Sequence, residues 1–358
     1  MFDIHFYAKF YDFRKRCQEY PDTIPTGKEK GEFLLETLES FRSKEPIVYN
    51  IETTNACNMR CAMCPRTTMM TRPVTQLSQE AFTNVVEQLK PFTQKEWKDW
   101  EKFVKNTYNI DSNDMSENHF FLYIIPQVIQ LHGYGDPLLD KNMGTHIKIL
   151  NARGFKSYFS CNPANIDLKK TYTMLDNGLD YIKYSLESVS DEEHKKIRGE
   201  ASNFSESYAN ILKVLNYKEA NGLNTTIVIT MIDLNRKMQA YDFEQLRKAF
   251  SGKNVYIYLK SEDQQWYRKD YHPTKSIHWN EECKHPWMSM TIKSDGNVAM
   301  CMEDFNNEII LGDIAKNSLW DIWNGQLYAQ FRRDHIFLNK KIKCTQRCDM
   351  ALVGDCLQ

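Results

Sequence analysis

The sequence predicts an α/β fold: a parallel sheet with helices on its outside, followed by a smaller C-terminal unit rich in cysteine. Three observations predict it. From residue 47 to residue 260, short β-branched and aromatic runs alternate with amphipathic segments, the order that lays strands parallel. Six strand–helix units can be counted, short of a closed eight-fold barrel. From Cys283 the composition changes to a hairpin signal, an aromatic helix and clustered cysteines.

Composition sets the outer bounds. The 358 residues carry 46 Lys and Arg against 47 Asp and Glu, a formal net charge of −1, so DNA or RNA would meet no basic footprint. The length allows one large domain and a smaller one. The first 16 residues are charged and lack an apolar h-region, and no apolar run approaches the ~20 residues that span a bilayer. A soluble, cytoplasmic protein without nucleic-acid or membrane partners is expected. Ten cysteines in a reducing compartment point to metal ligation rather than disulfides.

Residues 1–46 mix aromatic and charged side chains. Helices over 5–19 and 29–43, parted by Pro21, Pro25 and Gly27, would form an N-terminal cap with no chemistry. The alternating run 47–52 is the first strand. A helix over 78–89 follows, with Ser78 as N-cap and Glu80 and Glu87 outward. Residues 91–119 read as an insertion, a surface helix over 93–108 and then a polar run. A substrate lid and a plain solvated insertion both remain open for it. The next strand, 128–132, enters a glycine-rich turn. Strands over 156–161, 181–187, 225–232 and 255–260 then alternate with helices over 167–176, up to 215, and 240–250. The stretch 266–272 is either a pocket mouth or a linker. Domain limits of 1–46, 47–265 and 266–358 follow.

The first strand delivers Asn55-Ala-Cys57-Asn-Met-Arg-Cys61-Ala-Met-Cys64-Pro65. Three thiolates at this spacing can hold three irons of a four-iron cluster and leave the fourth open to a ligand. A zinc site is the alternative, but no second C-x2-C and no nearby His closes one. Further on, Gly133 and Gly135 allow close backbone approach to a ligand, and Asp136 can accept hydrogen bonds from an ammonium group. An ordinary β-turn is the plain alternative there. Ser185 and Glu187 end a strand, and Arg198 lies on the helix after it. Its planar fork suits a carboxylate, although a solvated helix start explains the same residues.

Cys57, Cys61 and Cys64 match the CxxxCxxC signature of the radical S-adenosylmethionine (radical SAM) superfamily, which the chain resembles over about residues 47–356. The resemblance implies a partial (β/α)6 barrel of TIM type. It also implies a 4Fe-4S cluster whose open iron chelates SAM, and reductive cleavage to a 5′-deoxyadenosyl radical that abstracts a substrate hydrogen. Gly133, Gly135 and Asp136 resemble the family's GxGEPL-type motif, which holds SAM's amino group; Asp replaces Glu here, shortening the reach by one methylene. Asn162, where relatives have a Thr-Asn-Gly turn, and Ser185, Glu187 and Arg198 become candidates for SAM's ribose or carboxylate. Cys161 reads as packed.

The C-terminal pattern resembles the SPASM and twitch domains, which carry auxiliary iron–sulfur clusters. Cys283 precedes a hairpin with Asp295-Gly296 at its turn and Cys301 on the return strand. Glu303-Asp-Phe305, Leu311-Gly-Asp313, Leu319-Trp-Asp-Ile-Trp323, Cys344, Cys348 and Cys356 follow. Five cysteines suffice for one auxiliary 4Fe-4S cluster with no open iron, and which two of Cys344, Cys348 and Cys356 join Cys283 and Cys301 stays open. Structural zinc is the alternative. The resemblance implies an oxidoreductase fed by a reductant such as flavodoxin or ferredoxin, carrying out a two-electron oxidation of a small molecule such as a sugar or aminocyclitol. Modification of a ribosomally made peptide is the rival reaction, and a non-catalytic iron–sulfur binding protein the rival outside catalysis.

Overall fold

The computed structural model describes residues 1–261, 283–337 and 344. Six parallel strands form its centre: β1 (Val48–Ile51), β2 (Val128–Gln130), β3 (Lys156–Cys161), β4 (Tyr181–Ser185), β5 (Thr226–Asp233) and β6 (Tyr256–Ser261). They lie in chain order, with Gln130 opposite Tyr158 and Cys161 opposite Tyr184. This is the partial barrel, open beyond β6.

The C-terminal unit does not stand apart from this sheet. β7 (Met290–Ile292) pairs in parallel with β1, Ile292 opposite Ile51, and the antiparallel strands β8 (Asn297–Ala299) and β9 (Ile310–Asp313) extend the sheet to nine. The hairpin turn uses Gly296 at φ +84°, a conformation open to glycine without strain. Cys301 lies just past the return strand rather than on it, because β8 ends at Ala299. The expected single aromatic helix is two, Leu319–Asn324 and Gln326–Ile336, broken at Gly325.

Strand side chains divide by the period of two. Ile129, Leu131, Phe159, Ile182, Tyr184, Ile227 and Ile229 are buried toward the outer helices. Their neighbours Gln130, Tyr158, Lys183, Ser185, Tyr258 and Lys260 face the lumen. The helix Ile4–Glu19 carries Phe6, Tyr7, Phe10 and Phe13 on one face and packs them with Tyr158, Val228 and Tyr256 in a second core. Its residues, expected to be a cap without chemistry, therefore reach the lumen, and Phe2 and Tyr7 line its cavity.

The insertion joins the same core. Its helix, Gln94–Tyr108, opens on a Thr93–Glu96 capping box and turns Trp100 inward, edge-on to Tyr7 at 5.3 Å. The Trp100 indole N–H donates to Leu122 O at 2.7 Å, so the helix is anchored rather than merely solvated. No helix among the described residues is long and apolar enough to cross a membrane. The stretch 266–272 and the boundary at 265/266 lie outside the described residues.

Candidate active site

The loops after β1, β2, β3 and β4, at the C-terminal side of the barrel, deliver the first cysteine group and the residues beside it. Past β1 the chain leaves the sheet, and Asn55 fixes its course: its side chain donates to Pro73 O at 2.9 Å and accepts from Thr75 N–H at 2.7 Å. The cysteine loop then docks on the end of the helix Asp191–Arg198. Arg60 N–H donates to Arg198 O at 3.1 Å and Ala62 N–H to Ile197 O at 2.8 Å, so the loop satisfies carbonyls the helix leaves open. Gly199, at φ +98°, permits this approach, since a Cβ there would lie 3.1 Å from Arg60 N.

Cys57, Cys61 and Cys64 line one cavity of about 400 Å³. Burial pushes the Cys64 thiol up to about 12 and raises that of Cys57 as well. Thiols this reluctant to ionise become thiolates only beside a strong positive centre, which iron supplies. Among the described residues no three His, Cys, Asp or Glu side chains crowd one point as ligands of a single ion do.

Beside the triad the turn after β2 forms a cradle. A Cβ on Gly133 would fall 2.4 Å from Glu52 Oε2, and one on Gly135 2.1 Å from Thr54 O and 2.7 Å from Asn55 Cα. The second clash is with backbone and cannot be relieved by a rotamer. Gly135→Ala is therefore expected to displace the cysteine loop and cut iron incorporation severalfold, measured as iron per chain after anaerobic reconstitution. Wild-type loading in that variant would contradict the close approach.

Asp136 lines the same cavity, and its carboxylate also ties the surrounding loops together. Its Oδ1 accepts from Leu138 N–H at 3.0 Å, and its Oδ2 from Asn162 N–H at 3.1 Å and Asn165 Nδ2 at 2.8 Å. These bonds join the loops after β2 and β3, while burial raises its pKa. Asn162 is held in turn by Ser202, at 3.0 Å from its Nδ2. Ser185 Oγ lines the cavity with no hydrogen-bond partner among the described residues. Arg198 pairs through Nη2 with the buried Glu187, and its Nη1 lies 3.7 Å from Cys61 Sγ. Its Nε is buried with no partner among the described residues. An orphaned guanidinium N–H, a hydroxyl and a glycine cradle around one cavity fit an amino-acid-bearing cofactor. Cys161 donates to Lys183 O at 3.6 Å and is a packed wall residue.

The second cysteine group opens onto the same cavity: Cys283, Cys301 and Cys344 all line it. Burial pushes the Cys283 thiol up to about 12, as it does that of Cys64. His335 Nε2 lies 3.8 Å from Cys344 Sγ, and burial holds the His335 imidazole down to about 4, neutral at ordinary pH. Cys348 and Cys356 lie outside the described residues.

Two features escaped the sequence reading. Lys183 faces the lumen, buried, its ammonium 5.6 Å from the ring centres of both Phe120 and Tyr158. Two residues before Ser185, it shares that residue's face of the strand, a signal the period of two carries. The other is a buried charge cluster around Glu52. Its carboxylate accepts from Arg72 at 2.7 and 3.0 Å, from Tyr134 N–H at 3.1 Å, and from Ser294 N–H and Oγ at 3.2 and 2.9 Å. Burial alone would raise its pKa; the charges of Lys293 and Arg72 lower it instead. Thus the first cysteine loop, the glycine turn and the C-terminal hairpin meet on one carboxylate. A Glu at the end of a first strand was the visible sign.

Comparison with known proteins gives the following. A family model described as the radical SAM superfamily matches residues 51–243, and one described as the SPASM iron–sulfur cluster-binding domain matches residues 283–349. The S-adenosyl-L-methionine-dependent 2-deoxy-scyllo-inosamine dehydrogenase of Niallia circulans is 33% identical over 54 residues, 15% of this chain and 22% of that protein. The match thus spans about a fifth of the curated relative. Among solved structures, native anSMEcpe with bound AdoMet is 13% identical with a TM-score of 0.52, over 87% of this chain and 94% of that one. BtrN in complex with AdoMet and 2-DOIA is 16% identical with a TM-score of 0.48, over 86% and 95%. The likeness to anSMEcpe is one of fold.

Proposed function

Because the chain belongs to the radical SAM superfamily and carries a SPASM iron–sulfur domain, we propose that it oxidises a small molecule by two electrons, of the sugar or aminocyclitol class. One observation carries the reading: both cysteine groups open onto a single cavity, so a substrate between them adjoins the SAM-binding centre and the auxiliary one together. The 54-residue similarity to an aminocyclitol dehydrogenase supports the substrate class.

In this reading Cys57, Cys61 and Cys64 hold the SAM-binding 4Fe-4S cluster, and Cys283 and Cys301 with two of Cys344, Cys348 and Cys356 hold the auxiliary one. When bound, these groups supply reductive cleavage of SAM, hydrogen abstraction and an acceptor for the second electron. The chain's own contribution is positioning. Gly133 and Gly135 let the turn close against Glu52 and the Thr54–Asn55 backbone, and the turn so held would offer its backbone to SAM's amino group. Asp136 and Asn162 hold that turn to the loop after β3. Arg198 and Ser185 would take the carboxylate and ribose, and Glu187 holds the Arg198 guanidinium through their ion pair. Tyr49, Tyr158 and Tyr258 give the lumen an aromatic wall against which a substrate would pack.

The test is turnover of a panel of aminocyclitols and amino sugars, 2-deoxy-scyllo-inosamine included, with SAM and a strong reductant under anaerobic conditions. The expected product has lost two hydrogens, with one 5′-deoxyadenosine formed per product. Release of 5′-deoxyadenosine while no panel member is oxidised, but a co-expressed peptide is altered, would replace this reading with peptide modification.

A further inference from the structure

We propose that Lys293 is the electrostatic residue that raises the reduction potential of the auxiliary centre and so favours its acceptance of the substrate's second electron. The proposal rests on reading Cys283 and Cys301 as ligands of that centre. Lys293 follows β7 immediately and is 1% exposed. Its ammonium donates to Met302 O at 2.9 Å, the carbonyl of the residue directly after Cys301. Its other neighbours are the Tyr134 ring, with the centroid 5.9 Å away, and the charges of Glu52, Arg72, Cys301 and Asp304.

Those charges are not equivalent. Glu52 is already held by Arg72, Ser294 and Tyr134 N–H. Asp304 is turned to Glu308 N–H and Ile309 N–H at 2.8 and 2.9 Å. Arg72 is committed to Glu52 and to Phe305 O at 2.8 Å. Lys293 is the cation whose hydrogen bond ends beside Cys301, while the buried Lys284 adjoins Cys283 in the chain and acts on that thiol. Burying an ammonium is costly; Lys293 shares the Glu52 carboxylate with Arg72, and its hydrogen bond to Met302 O sets the same charge beside Cys301. Reduction adds one negative charge to the centre, and a fixed cation in a low-dielectric wall stabilises the reduced form more than the oxidised one. The electron comes from the substrate radical, which becomes the two-electron-oxidised product on losing it and a proton.

The test is a potentiometric titration of the full chain loaded with both clusters, followed by electron paramagnetic resonance with and without SAM. The signal indifferent to SAM reports the auxiliary centre. Lys293→Met is expected to make that centre about tenfold harder to reduce, ~59 mV for a one-electron couple, and to leave the SAM-responsive signal in place. Lys293→Arg keeps the charge and should keep the wild-type potential. Three results would overturn the proposal: a wild-type potential in Lys293→Met, an equally low potential in both variants, or loss of the auxiliary iron from both. Because the readout is a potential, it holds or fails separately from the identity of the substrate.

Discussion

Replacing Cys57, Cys61 and Cys64 together by Ala is expected to abolish formation of 5′-deoxyadenosine while leaving about half the iron of the wild-type protein, four of about eight atoms. The argument is one of location. The three thiols sit on the loop between β1 and the helix Gln79–Glu87, whereas Cys283, Cys301 and Cys344 come from segments more than 200 residues later. The strand carrying the first loop is pinned by its pairing with β2 and β7 and by Glu52, none of which the substitutions touch. The second group should therefore assemble normally. Iron and acid-labile sulfide per chain, with 5′-deoxyadenosine by chromatography, check both halves. Retained cleavage in the triple variant would refute the assignment of the triad.

Arg198→Met is expected to have the second largest effect, this time on stability. Glu187 is fully buried and Arg198 is its ion-pair partner, while Ile232 N–H at 2.8 Å is a hydrogen-bond donor to the same carboxylate. Removing the guanidinium leaves a buried carboxylate without its counter-charge, which typically costs about 3–5 kcal/mol. The second variant Arg198→Met/Glu187→Gln removes both charges and should recover a large part of that loss. The urea midpoint of the reconstituted protein, at an unchanged slope, is the measurement. A single variant within about 1 kcal/mol of wild type would mean that the pair is not a structural necessity.

How much of this was legible in the sequence follows from how far each feature depends on distant residues. The six parallel strands were readable because their signal is local: alternation, turn residues and caps such as Ser78 and Asp167 mark each unit. The cysteine spacing was readable for the same reason. By contrast, nothing near residue 290 says that the hairpin will pair with β1, since that register is set by Ile51 meeting Ile292 across 240 intervening positions. The role of residues 1–19 was hidden similarly, because an aromatic helix looks like a cap until the lumen it fills is known. Asp136 shows the other limit. Its residue type suggested a ligand contact but not that both oxygens also tie the loops around it together. The Glu52 cluster combines the two problems: three distant chain segments converge on a side chain whose own neighbours in sequence predict only a strand end.

The measurement that bears most directly on the central claim is electron paramagnetic resonance of the anaerobically reconstituted, dithionite-reduced chain, before and after addition of SAM. Two centres opening onto one cavity predict two cluster signals, one reshaped by SAM and one left unchanged. A protein that binds zinc alone, or whose reduced signals all ignore SAM, would contradict it.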